Sequence, residues 1–213
     1  KFEIDERAQI FVLLARLFIG PPGDGRVQRE AGQVDVLLGE IVLGDAQVSR
    51  RAGRHARELV GELRGNGGGY LDGAINLTSM FLKQGVVVTV AGRGSDKEVY
   101  NVTGNPLLPD IPVAVLINQG TASASEIFSG ALKDHKRATI IGMQSYGKGT
   151  VQEVIDLPGG ASLRVTIARW LTPNGTDLGK VGVTPDITVD LTQEDVTAGK
   201  DPQMEKALEA LTK

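Results

Sequence analysis

The sequence predicts an α/β fold built on a mixed sheet with flanking helices. Three observations carry that reading. Short β-branched apolar runs, Val113 to Ile117 and Ala138 to Gly142, are bounded by turn residues, as buried parallel strands are. Helical periodicity separates them, from Ser125 to Lys133 and again near the C-terminus. Two pairs of alternating segments flank glycine-rich turns and read as β-hairpins.

The first quarter, residues 1–62, has its own style. It holds one lysine and eight arginines, against nine lysines and five arginines in residues 63–213. We therefore divide the chain into an accessory segment, 1–62, and a core, 63–213. Within the first, Asp5 to Phe18 is predicted helical, with Ile10, Leu13, Leu14, Leu17 and Phe18 on one stripe, suited to capping the domain or pairing with a second copy. Gly20 to Gly25 is a turn, Val34 to Leu43 a strand, and the arginine-rich Val48 to Val60 a second helix with a solvated face.

In the core, Leu63 to Tyr70 (LRGNGGGY) is a glycine-rich turn feeding a helix with Leu71, Ala74, Ile75, Thr78, Phe81 and Leu82 on one face. Val86–Val90 and Glu98–Val102 form the first hairpin, around Gly92 to Asp96. Thr150–Leu157 and Ser162–Leu171 form the second, around Pro158 to Ala161. Asp186 to Leu191 is a short strand. Asp201-Pro202 is a start signal for a last helix reaching Leu211.

Composition removes several functions. The net charge is −3, so there is no broad cationic field for nucleic acid, and aromatics at 4% are too sparse for a base-stacking platform. Cysteine is absent and there are two histidines, which excludes thiolate catalysis and cysteine- or histidine-rich metal sites; no cofactor is expected. Ile10 to Gly20 is too short to span a bilayer and lacks the flanks of a secretory signal.

What remains is hydrolytic chemistry between residues 112 and 152. A strand ending at Asn118-Gln-Gly120 is followed by Thr121, Ser123 and Ser125, then a helix: a geometry that lifts a hydroxyl over a sheet at the positive end of a helix. Ser123 sits at the bend, with the Ala124 N–H placed to face an oxyanion, while Ser125 suits a capping role. Such a hydroxyl needs a base. His55 lies among arginines, and His135 at a helix C-terminus, both surface positions. Lys148, in Ser145-Tyr-Gly-Lys-Gly-Thr150, stands between glycines before a strand. A lysine acting as base near neutrality needs its pKa brought from about 10.4 down to about 7 or 8, which burial against apolar walls achieves. Gln152, four residues on, would share Lys148's side of a strand. Residues 65–69 lack a P-loop's Lys-Ser/Thr ending and offer instead unobstructed N–H groups for an oxyanion. A structural lysine and a plain tight turn are the competing readings.

These stretches resemble the C-terminal processing peptidases (tail-specific proteases) of serine peptidase family S41. The resemblance rests on Leu63 to Gly69, Val115 to Ile127, Gly130 to His135, Tyr146 to Gln152, Ala168 to Gly175, Gly182 to Asp186 and Asp201 to Leu208. It implies a ClpP/crotonase-like core and a serine endopeptidase cleaving near C-termini through an acyl-enzyme. By position it puts the nucleophile on Ser123, the general base on Lys148, its orienting partner on Gln152 and the oxyanion amides on Gly69 and Ala124. It also implies substrates with flexible C-termini and an exported bacterial or plastid-lumen setting. No PDZ module, the usual gate of these enzymes, is recognisable in 1–62. Three alternatives therefore stand: an autonomous peptidase, one activated by a regulatory partner, and a silent scaffold on the same fold. A homodimer through the N-terminal helix is a further expectation.

Overall fold

The computed structural model describes residues 10–14, 39–40, 58–94 and 96–212. Their strands divide the two pairing modes between two sheets. The first comprises β1 (Ile10–Leu14), β2 (Gly39–Glu40), β3 (Glu58–Glu62), β6 (Val113–Ile117), β7 (Thr139–Gly142) and β10 (Ile187–Thr188), in the order β10-β7-β6-β3-β1-β2. Every pairing in it is parallel. The second is antiparallel, of β4 (Val86–Ala91), β5 (Lys97–Asn101), β8 (Thr150–Asp156) and β9 (Ser162–Leu171), in the order β5-β4-β9-β8. Both expected hairpins are present.

Period-two alternation explains how the parallel sheet is covered. Val113, Val115 and Ile117 of β6 pack with α1 (Leu71–Ser79) and α2 (Ala124–Asp134) through Ile75, Leu77, Ile127, Phe128 and Leu132. Ala114 and Leu116 point the other way, joining Val60, Ile141, Ala207 and Leu211 under α5 (Pro202–Leu211). A strand apolar on both faces is what a central parallel strand requires. Phe81 and Phe128 meet edge-on at 5.7 Å in the larger cluster. Two short helices, α3 (Leu178–Val181) and α4 (Gln193–Thr197), complete the described elements.

Two expectations at the front are corrected. Ile10–Leu14 is a strand, paired in register from Ile10↔Glu58 to Leu14↔Glu62, and not part of a helix. A capping or dimerising helix is therefore not built from these residues. Glu58 to Val60, expected as the end of a helix, begins the strand that sits between β1 and β6. Both runs are short and apolar, and periodicity does not separate a buried strand from a helix segment at that length. Gly39–Glu40 lies within the expected strand Val34–Leu43; the rest of that strand, residues 48–57 and His55 lie outside the described residues.

Candidate active site

Two turns at the C-terminal ends of neighbouring strands β3 and β6 build the centre. Leu63 to Gly68 leaves β3, Asn118 to Ser123 leaves β6, and hydrogen bonds stitch them together. Thr121 Oγ1 donates to Leu63 O at 2.8 Å, the Gly65 N–H to Asn118 Oδ1 at 2.8 Å and the Ala122 N–H to Asn66 O at 3.0 Å. Thr121 is fully buried and holds this seam. That occupation removes it from the competing hydroxyls.

Ser123 stands at the bend. Its φ of 60° and ψ of −123° are rarely adopted by a side-chain-bearing residue, and such strain persists only where surroundings impose it. It is the N-cap of α2, so Ala124 is the first helical residue, and the Ala124 N–H has no hydrogen-bond partner among the described residues. Gly68 comes directly against it: with φ of 90°, a β-carbon there would lie 2.5 Å from Ala122 O and 2.7 Å from Ala124 N. The Gly68 N–H is turned inward onto Asn66 Oδ1 at 3.0 Å. The next N–H, that of Gly69, has no such partner among the described residues. The glycine run is thus a close approach of one backbone to the serine bend, the position an oxyanion donor needs. Ser125 does not cap the helix. It is buried, with its Oγ unpartnered among the described residues.

Glu126 joins the serine bend to the lysine segment, and sequence reasoning missed it. Its fully buried carboxylate accepts four donors. Oε2 takes the Ser123 N–H at 2.8 Å and the Lys148 N–H at 2.9 Å; Oε1 takes the Gly147 N–H at 2.7 Å and Ser145 Oγ at 2.5 Å. Ser145 Oγ in turn accepts the Val183 N–H at 2.6 Å. The backbone nitrogens of Ser123 and Lys148 are therefore within two hydrogen-bond lengths of each other. The only sequence signal was a glutamate in the first turn of a helix, which ordinarily indicates a helix dipole partner.

The lysine itself is not buried. Gly149 passes so tightly against α3 that a β-carbon would lie 2.0 Å from Gly179 N, which explains the glycine after Lys148. The Lys148 side chain, however, is exposed and has no hydrogen bond to Ser123 or Gln152 among the described residues. The burial expected of a lysine base is therefore not observed. Gln152 is exposed on β8 and Lys148 lies in the turn before that strand starts. His135 caps the far end of α2, about 16 Å from the bend for an 11-residue helix, with its ring Nε2 2.7 Å from Val86 O. It is no base for Ser123.

A second polar cluster braces the glycine turn from the opposite side. Arg64 binds Glu62, Asp201 and Gln203, with its Nη2 2.8 Å from Asp201 Oδ2 and its Nη1 3.0 Å from Gln203 Oε1. Burial opposes the guanidinium charge, but the bonds to Glu62 and Asp201 outweigh it and raise its pKa further. The turn is thereby tied to the N-cap of α5.

The chain has known relatives in sequence and fold. The sequence profile described as Peptidase family S41 matches residues 45–189, more than half of the chain. The chain belongs to peptidase family S41. It is 49% identical over 130 residues to the carboxy-terminal-processing protease of Bartonella bacilliformis, covering 61% of this chain and 30% of that protein. Against the chloroplastic C-terminal processing peptidase of Tetradesmus obliquus it is 43% identical over 132 residues, 62% of this chain and 28% of the relative. The solved photosystem II D1 C-terminal processing protease superposes with a TM-score of 0.62 at 40% identity, over 67% of this chain and 37% of that one. The chain thus spans about a third of the length of these S41 relatives. Among the described residues no helix is long and apolar enough to cross a membrane, and no cluster of acidic or histidine side chains could hold a metal.

Proposed function

We propose that this chain is the catalytic part of a serine endopeptidase that cleaves flexible protein substrates near their C-termini. Ser123 Oγ attacks the scissile carbonyl carbon and passes its proton to the neutral Lys148 amine, which delivers it to the departing amine. Water then attacks the acyl-enzyme, Lys148 takes its proton, and the serine is restored. The N–H groups of Gly69 and Ala124 receive the oxyanion, and Gln152 orients the lysine once substrate closes the site. The observation that carries this reading is the strained Ser123 bend, with an unpartnered Ala124 N–H beside the glycine turn. The backbone of Lys148 is anchored close by, on the same Glu126 oxygen that holds the Ser123 N–H, which supports the pairing.

We assign the chain to an exported bacterial or plastid-lumen enzyme, a reading supported by its similarity to a chloroplastic and a bacterial processing peptidase. The family match from residue 45 and the internal position of β3 favour a catalytic core that starts before Leu63. The exposed Lys148 favours a second reading, in which a regulatory partner or further chain covers the lysine and completes the site. Cleavage of unfolded casein, with cut sites mapped, tests both. Ser123→Ala and Lys148→Ala should each abolish it, and His135→Ala should leave it unchanged. Full activity of Lys148→Ala refutes the dyad. Failure of a fluorophosphonate probe to label Ser123 between pH 6 and 10 indicates a silent scaffold.

A further inference from the structure

We propose that the outer edge of β8 is the substrate cradle: an extended peptide adds there as a further antiparallel strand and is led to the reacting serine. The inference rests on the peptidase reading and names where the substrate's main chain lies. β8 is an edge strand of its sheet among the described residues, and it starts two residues after Lys148. Its outward backbone groups follow from two bonds to β9. The Leu157 N–H donates to Ala161 O at 2.8 Å, and Gly149 O accepts the Trp170 N–H at 2.9 Å. The N–H and C=O of one residue in an antiparallel strand point to the same side, and neighbours alternate. Odd-numbered residues therefore bond inward, and Gln152, Val154 and Asp156 turn their N–H and C=O to the open edge. The register irregularity lies on β9, where Val151↔Ala168 and Gln152↔Thr166 leave Ile167 unmatched, so β8 keeps its alternation.

Natural edges are blunted by proline, charged side chains, bulges or a covering element. From Gln152 to Leu157 the edge has no proline, its only charges are the carboxylates of Glu153 and Asp156, the unmatched residue lies on β9, and nothing among the described residues covers it. It instead exposes apolar side chains: Ile155, Leu157 and Leu163 project from one face, at 41%, 43% and 48% exposure. Main-chain bonds of this kind give affinity without sequence, and alternate side-chain contacts add preference. The ligand that fits is an unfolded polypeptide with apolar residues at every second position. The other edge strand, β5, leads from no candidate catalytic residue.

The test uses the full chain carrying Ser123→Ala and a fluorescein-labelled ten-residue peptide of alternating valine and serine, with amide exchange read by NMR. Binding should slow exchange of the Gln152, Val154 and Asp156 amides about tenfold or more, as a gained backbone hydrogen bond does, and leave the inward amides Glu153 and Ile155 unchanged. In the unsubstituted chain, Val154→Pro removes one outward donor and should raise KM about tenfold at constant kcat. Should that variant fail to fold, peptides N-methylated at successive positions give the same readout, weakening binding with a period of two. No binding, or binding without protection of the three outward amides, overturns the inference. Failure of the unsubstituted chain both to cleave casein and to react with the fluorophosphonate probe would refute the peptidase reading alone, and cleavage without edge protection would refute the cradle alone.

Discussion

Glu126→Gln should disable the enzyme while leaving its fold. The glutamine is nearly isosteric, so the packing of a fully buried side chain is kept, but one oxygen becomes an NH2 that accepts nothing. Each carboxylate oxygen now takes two donors: Oε2 those of Ser123 and Lys148, Oε1 those of Gly147 and Ser145. Whichever way the amide turns, two donors lose an acceptor and face a donor. Leaving a buried group unsatisfied costs about 1–3 kcal/mol, so about 2–6 kcal/mol is at stake. Movement of the Ser123 bend or the Lys148 segment releases part of that cost and spoils the geometry. If about 3 kcal/mol appears in the transition state, kcat falls by about two orders of magnitude. Steady-state cleavage of casein should show this in kcat with KM little changed, since Glu126 touches no substrate. Thermal unfolding measured alongside separates misplacement from loss of fold. Activity within threefold of the unsubstituted chain would refute the positioning role.

Two further substitutions probe the supports of the glycine turn. Gly68→Ala places a β-carbon 2.7 Å from Ala124 N at a φ of 90°, so it should push the turn off the serine bend and lower kcat about a hundredfold, comparable to losing an oxyanion donor; unchanged kcat would place the oxyanion elsewhere. Asp201 gives a pH dependence. Burial raises the pKa of its carboxyl, but the bonds from Arg64 and the Met204 N–H outweigh that and hold it below its ordinary value. A depressed carboxyl contributes stability that is present above about pH 4 and lost as pH falls through the lowered folded value. Melting temperature should therefore drop below pH 4, and Asp201→Asn should lower it at neutral pH while flattening that acid limb.

Much of this was legible because the relevant signals are local. The Val113–Ile117 run, the small-residue bend and the glycine turn each announce themselves within ten residues, and Ser123 does stand at the bend where the sequence put it. The misses come from distant partners. Ile10–Leu14 is a strand because Glu58–Glu62 pairs with it, and nothing in IFVLL says so. Glu126 looked like an ordinary helix-start acid because its donors arrive from Ser145 to Lys148, about twenty residues on. Spacing suggested Lys148 beside Gln152, and no hydrogen bond joins their side chains among the described residues.

The strained serine and the anchored lysine are one device, not two. A φ of 60° at Ser123 costs about 1–3 kcal/mol and survives only where neighbours over-determine it. Here the Ser123 N–H is held by Glu126, the adjoining Ala122 N–H by Asn66 O, and Thr121 by Leu63 O. The acceptor that holds the serine is also the acceptor that places Lys148, and its second oxygen is held by Ser145, which in turn holds Val183. Relaxing the lysine segment therefore loosens the serine bend, and the reverse. An exposed lysine in such a frame is positioned at its backbone while its side chain stays in water. In the proposed dyad, desolvation of Lys148 then falls to whatever next covers the site, and a peptide lying along β8 would do so as it brings its carbonyl to Ser123.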